Sequence, residues 1–313
     1  SKVEGAVNFN FSPASRDFTL YSGFIQDEFI LLADRLKFIL GSKFEHNDFS
    51  GFEFQPNARL VFTPDNKQTI WAAVARAVRI PNRLDHDLES LYLSQEPSGV
   101  FPTGVGNSNF DSEQLIAYEL GYRIQPTDTL LFDIAAFYND YDKLTTAELG
   151  DPVSQTSPTP HVTIPIYASN QGSAETYGVE LLAQWQVFEE WRLQGSYSYL
   201  QIQFHSNSST SIAPEANEGN SPHHQYTLRS SIDLLENVQF DTTVRYVDNL
   251  SSQNVESYTE LDLRLAWTPL KNLELSVVGQ NLLHSHHAEF TNTGFSTAME
   301  VQRGFYGKLS WQY

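Results

Sequence analysis

The chain has 313 residues, 40% of them apolar and 13% aromatic, with no cysteine and a formal net charge of −19. That charge argues against a nucleic-acid partner, which needs a basic face for phosphate. Without cysteine there are no disulfides, thiolate metal sites or cysteine nucleophiles.

The first residues, SKVEGAVNF, have neither the basic start nor the apolar middle of a signal peptide, so the chain is expected to be mature or a fragment. No stretch approaches the roughly 18 consecutive apolar residues of a membrane helix. Strands that cross a bilayer escape that test, because their alternation averages to neutral hydropathy. Alternation recurs along almost the whole length. Ile116, Tyr118, Leu120, Tyr122 and Ile124 oppose Ala117, Glu119 and Arg123. Trp191, Leu193, Gly195, Tyr197 and Tyr199 oppose Arg192, Gln194, Ser196 and Ser198. Val238, Phe240, Val244 and Tyr246 oppose Gln239, Asp241 and Arg245. Leu261, Leu263, Leu265 and Trp267 oppose Glu260, Asp262 and Arg264. The ending, GFYGKLSWQY, keeps Phe305, Leu309, Trp311 and Tyr313 on one face and Tyr306, Lys308 and Gln312 on the other. Period 2 reads as strand, and helical spacing competes nowhere, so the chain is all-β.

The connections sort by length. Short turns fall at Thr63–Lys67, Gln125–Asp128, Val187–Glu190, Leu235–Val238 and Thr268–Asn272. Long stretches fall between them, at Ile80–Asp111, Asp142–Ile164, His205–Ser221, Asn249–Glu256 and His284–Ala298. Tight turns on one rim and long loops on the other are the pattern of an outer-membrane barrel. About 13 or 14 strands of ten or more residues suit a tilted crossing better than a globular sheet. Trp71, Trp185, Trp191, Trp267 and Trp311 lie near strand ends. A soluble sandwich, β-helix or propeller has no reason to segregate its loops, so the expected fold is an antiparallel transmembrane β-barrel. Its short turns are then periplasmic and its long loops extracellular. With the last strand ending in the periplasm, all nine histidines fall on the extracellular half.

Several segments resemble the barrel of TonB-dependent outer-membrane receptors. WAAVARAVRIPNRL (Trp71–Leu84) is similar to the strand that ends in an Arg-x-Pro step. NSNFDSEQLIAYELGYR (Asn107–Arg123) is similar to the segment ending Tyr-Glu-x-Gly-Tyr/Phe-Arg, without its proline. ASNQGSAETYGVELLAQW (Ala168–Trp185) resembles the Asn-x-Gly-x-Ala…Gly-Val-Glu stretch. SVVGQNLLHSHHAEF (Ser276–Phe290) resembles the Asn-Leu-Leu/Phe-Asp box, with His284 where the family carries Asp. The aromatic terminus resembles the signal read by the barrel assembly machinery.

The resemblance implies a receptor embedded in outer-membrane lipid and lipopolysaccharide, with a ferric siderophore or similar metal chelate as ligand and the TonB complex as energy source. It also implies a 22-stranded barrel and an N-terminal plug. Against that pattern, residues 1–313 are expected to be the C-terminal part of the barrel domain, without the plug and about eight strands. No resident cofactor is expected.

Candidate ligand contacts sit on the extracellular side. The longest loop carries Arg83, His86, Tyr92 and Phe101, aromatics with a cation that could grip a siderophore by stacking and charge pairing, with Arg79 at its root. Histidines supply the rest: His161, His223, His224, His284, His286 and His287, because neutral imidazole suits metals and metal chelates. His286 and His287 are the possible metal pair. His86 lies where haem-uptake members carry a histidine, but Asp85, Asp87 and Glu89 around it would repel haem propionates. Haem, cobalamin, copper or a glycan stay open as ligands. An enzyme would need a motif such as Gly-x-Ser-x-Gly or His-Glu-x-x-His, and none occurs. A passive porin or adhesin would explain strands and loops but not the ordered motifs.

Overall fold

A computed structural model describes residues 9–33, 35–92, 100–156, 160–208, 211, 214–291 and 299–312. Tyr313 lies outside them, and so does the side chain of Tyr92. Thirteen strands make one continuous antiparallel wall. They are β1 (Leu20–Leu32), β2 (Leu36–Asn47), β3 (Gly51–Asp65), β4 (Gln68–Arg79), β5 (Glu113–Thr127), β6 (Leu130–Leu149) and β7 (His161–Phe188). The wall continues through β8 (Trp191–Ser206), β9 (His224–Leu235), β10 (Val238–Val247), β11 (Tyr258–Leu270), β12 (Leu273–Gln280) and β13 (Gly304–Trp311). Each pairs with the next in chain order, a meander with no crossover.

The register sorts the two faces as the alternation requires, since directly paired residues share a side of the sheet. Ile232, Phe240, Leu265 and Val277 form one cross-strand row. Val74, Tyr118, Tyr138 and Tyr177 form another. Both rows lie on the outward face, where Val277 is 65% exposed and Leu309 64%. So continuous an exposed apolar band fits contact with hydrocarbon rather than water. The opposite face carries the charges. Ser231 faces Asp241 and Asp241 faces Arg264; Thr227 faces Arg245 and Arg245 faces Glu260.

Two glycines let this inner face close on itself. A Cβ on Gly121 would stand 2.2 Å from the Trp71 indole, which lies across it, with the Arg59 guanidinium 5.0 Å from the ring. A Cβ on Gly178 would stand 2.1 Å from the Tyr199 carbonyl oxygen, a backbone atom with nowhere to go. Trp71 therefore faces inward with the charges, whereas Trp267 and Trp311 lie outward.

One rim has tight hairpins, between Leu32 and Leu36 and at 66–67, 128–129, 189–190, 236–237 and 271–272. The other rim has the long excursions, with one exception at 48–50. There the Asn47 side chain accepts the Phe49 and Ser50 amides at 3.0 and 2.9 Å, and Gly51 supplies φ +74°. The long loops are not irregular as the sequence suggested. In the first, Leu88–Tyr92 and Val100–Val105 pair with each other. Leu88–Tyr92 also pairs with Phe9–Phe11, and Val100–Val105 runs parallel to the start of β7, the one parallel ladder among the described residues. In the last, His286–Phe290 pairs with Met299–Gln302.

No ladder joins β1 to β13 among the described residues. In an up-and-down meander of thirteen strands the first and last run in the same direction, so they cannot close as an antiparallel pair. The wall is an open sheet with edges at β1 and β13.

Candidate functional site

The candidate rim is built around buried carboxylates. In the first long loop, Asn82 caps a single helical turn, Arg83–His86. Its side chain accepts the Leu84 and Asp85 amides at 2.7 and 3.3 Å, while Asp85 accepts the Asn82 amide at 3.0 Å, a reciprocal capping box. The turn ends at Asp87, whose side chain is 1% exposed. Arg16 reaches it at 2.8 Å, His86 Nδ1 at 2.8 Å and Arg83 at 3.1 Å. Arg83 also donates to the Pro13 carbonyl and lies 4.6 Å from the Phe11 ring. Phe49 packs between Arg16 and His86, at 5.2 and 5.1 Å. Burial pushes the Asp87 carboxyl up, but hydrogen bonds from His86 and Arg83 and the Arg16 charge outweigh it and hold it below the ordinary carboxylate value. Segment 9–16 is thus strapped onto the loop, and Arg83 and His86 hold the strap.

Arg79, at the end of β4, grips Glu113 with two nitrogens at 2.6 and 2.8 Å and reaches Asp85 at 3.1 Å. Glu113 also accepts the Thr145 amide at 2.8 Å. Arg79 keeps 45% of its side chain exposed, so it is paired yet open to the rim. Phe101 and His161 come together where the parallel ladder starts, edge to face at 5.4 Å.

The other histidines divide between faces. His223 Nδ1 lies 2.9 Å from the Leu200 carbonyl and so carries the proton toward it. His224 points the other way, outward, with Nδ1 3.0 Å from the Tyr197 hydroxyl and its ring against Tyr199 and Tyr197. His223 lies one residue before β9, and the two rings have separate partners, a backbone carbonyl for one and a tyrosine hydroxyl for the other.

The last excursion folds onto β11. Asn281 takes a left-handed φ of 55°, tolerated by asparagine, and its amide donates to Asp262 at 2.9 Å. Arg245 pairs with Asp262 at 3.0 Å and also donates to Asn281. Glu260, 0% exposed, then takes His284 Nδ1 at 2.8 Å, His287 Nδ1 at 3.2 Å and the Leu283 amide at 3.2 Å. His286 is not part of this group. It is 57% exposed, lies 3.8 Å from Glu300, and does not join His287 as a metal pair.

Below the rim, the inner face carries a charge ladder. Arg264 bridges Asp241 at 2.8 Å and Glu274 at 2.7 Å, and Arg229 approaches Asp241 at 3.4 Å. Sequence reasoning found the cations and imidazoles and missed the carboxylates that organise them. From the sequence, Asp87 reads only as a charge that would repel haem propionates, and Glu260 and Asp262 only as charges on the polar side of their strand.

The family model for the β-barrel of TonB-dependent receptor-like proteins matches residues 3–282. The iron-regulated outer membrane virulence protein of Vibrio cholerae is 27% identical over 184 residues, which is 58% of this chain and 27% of that protein. Among solved structures, the siderophore receptor PirA from Acinetobacter baumannii superposes with a TM-score of 0.75 at 16% identity, covering 95% of this chain and 46% of that one. A single-site variant of the ferric enterobactin receptor PfeA from Pseudomonas aeruginosa gives 0.75 at 17%, covering 95% and 45%. At such identities the structural likeness shows the fold, and the chain spans less than half the length of each of these proteins. The match over nearly the whole chain shows that it belongs to the TonB-dependent receptor β-barrel family, a family of receptors and transporters of the Gram-negative outer membrane.

Proposed function

We propose that this chain is barrel wall and extracellular rim of a receptor for TonB-energised uptake of a ferric siderophore or similar metal chelate, with no catalytic activity of its own. The observation that carries this reading is the rim's composition above a charged inner face. Arg79 stays partly open there, beside the loop that holds the Phe101–His161 pair, and the Arg264 ladder lines the passage below. Cations and aromatics together suit an anionic aromatic chelate. The full receptor would receive its energy from TonB through parts beyond these residues. The named relatives, an iron-regulated outer-membrane protein and siderophore receptors, support the same substrate class.

Haem is the second reading, and His86 argues against it: its Nδ1 is committed to Asp87 and the ring is only 13% exposed. Growth of a deletion strain on single iron sources under iron restriction separates the two. Siderophore-dependent growth should fail and return with the intact gene. Loss of haem use alone, reproduced by His86→Ala, would overturn the siderophore reading.

A further inference from the structure

We propose that residues 214–220, 250–255 and 281–291, from three successive extracellular excursions, are joined into one mechanical unit by a head-to-tail relay of side-chain amides centred on Gln253. The middle excursion supplies a compact knuckle. Leu250 and Val255 exchange both backbone hydrogen bonds, at 2.9 and 3.2 Å, and are 7% and 4% exposed. Asn254 between them takes a left-handed φ of 54°, which asparagine tolerates. The Gln253 side chain then bridges the two neighbouring excursions. On one side the Thr291 amide donates to Gln253 Oε1 at 2.9 Å, and the Thr291 hydroxyl donates to the Gln253 carbonyl at 2.9 Å. A backbone N–H can only donate, so it fixes which end of the Gln253 amide is oxygen. The nitrogen is thereby turned to the other side, where it donates to Asn220 Oδ1 at 3.2 Å. Asn220 passes the same polarity on, its Nδ2 donating to Asn217 Oδ1 at 2.9 Å. Hydrogen bonds aligned donor to acceptor polarise one another, so the chain from Thr291 through Gln253 and Asn220 to Asn217 is stronger than its separate links.

A second contact ties two of the three together. The Gly219 amide donates to Ser252 Oγ at 3.2 Å, and a Cβ on Gly219 would stand 2.1 Å from Ser251 Oγ and 2.7 Å from the Ser252 backbone nitrogen. Only glycine lets the two backbones approach this closely. Each outer excursion is also anchored to the wall. Glu218 accepts the Phe204 amide of β8 at 2.7 Å, and the Leu283 amide donates to Glu260 of β11 at 3.2 Å. The Gln253 knuckle is therefore a crossbeam between two anchored loops. Ordering any one of the three lowers the entropy cost of ordering the others. Under the receptor reading, on which this consequence rests, a chelate that engages one excursion stiffens all three. The linkage itself is independent of that reading.

Hydrogen exchange on the whole receptor in detergent, without any chelate, tests the linkage. Gln253→Ala should speed exchange at least about threefold in both 214–220 and 286–291, while 83–92 and the strands stay as they were. Gln253→Glu separates the two arms. A carboxylate still accepts the Thr291 amide but cannot donate to Asn220, so 214–220 should loosen while 286–291 holds. Gly219→Ala should loosen 214–220 and 250–255 together. Glu256→Gln, an exposed change in the same excursion, should alter neither arm. Loosening confined to 250–255 after Gln253→Ala, equal loosening of both arms by Gln253→Glu, or an effect of Glu256→Gln equal to that of Gln253→Ala overturns the proposal.

Discussion

Asp87 and Glu260 are both almost fully buried, and each ties an extracellular segment down, but their partners differ in kind. Asp87 faces two guanidinium groups and one imidazole; Glu260 faces two imidazoles and a backbone amide. Guanidinium is charged at every pH a protein meets, whereas imidazole changes charge within the physiological range. The first carboxylate therefore has two permanent cations within ion-pair distance, and the second has imidazoles and an amide instead. A buried charge is tolerable only when compensated, so the first node should behave as a strut and the second as a weaker latch.

The sharpest way to break the comparison is Asp87→Ala. It leaves Arg16 and Arg83 without their shared anion, and loss of one partner of a buried ion cluster costs about 3–5 kcal/mol. Hydrogen exchange in residues 9–18 and 83–92 should rise together while the wall stays protected; unchanged exchange there would show that the strap is held by something else.

Acid should do the same more gently. The Asp87 carboxyl titrates below its ordinary value in the folded chain, so its contribution is complete above the unfolded carboxylate value, about pH 4, and is lost as pH falls through the lower folded value. The strap should thus stay docked through mildly acidic pH and loosen only in strong acid. Limited proteolysis of 9–18 against pH checks this, and release near neutrality would contradict it.

Glu260→Gln should cost less, about 1–3 kcal/mol, because neutral imidazoles and the Leu283 amide can still find a polar partner in the amide. Loosening of 281–291 by hydrogen exchange is the readout. His284→Ala should be smallest, under about 1 kcal/mol, since that side chain is 49% exposed and solvent replaces it. If His284→Ala loosened the loop more than Asp87→Ala loosens its strap, the ranking of strut and latch would be reversed.

How much of this was legible in the sequence differs by region. Along β5, β8, β10, β11 and β13 the alternation gave each residue its face, because strand geometry sends successive side chains to opposite sides without reference to anything distant. Phe240 and Leu265 are outward and Asp241 and Arg264 inward, as their spacing required. The rim was legible only as loop length and as a collection of histidines. That His223 would meet the Leu200 carbonyl and His224 the Tyr197 hydroxyl had no local signal either. That Arg16 would meet Asp87, 71 residues away, had no local signal.

By itself, then, the sequence determined the all-β wall, its two faces, the rim on which the long loops lie and the family. Each of these rests on a repeat or motif read within a few residues, and strand sterics enforce it wherever the chain goes. Only the tertiary structure decided which cations are spent on which anions, that His287 turns to Glu260 while His286 does not, and that thirteen strands leave the sheet open. Those outcomes depend on register and contact between distant segments, which no local pattern carries.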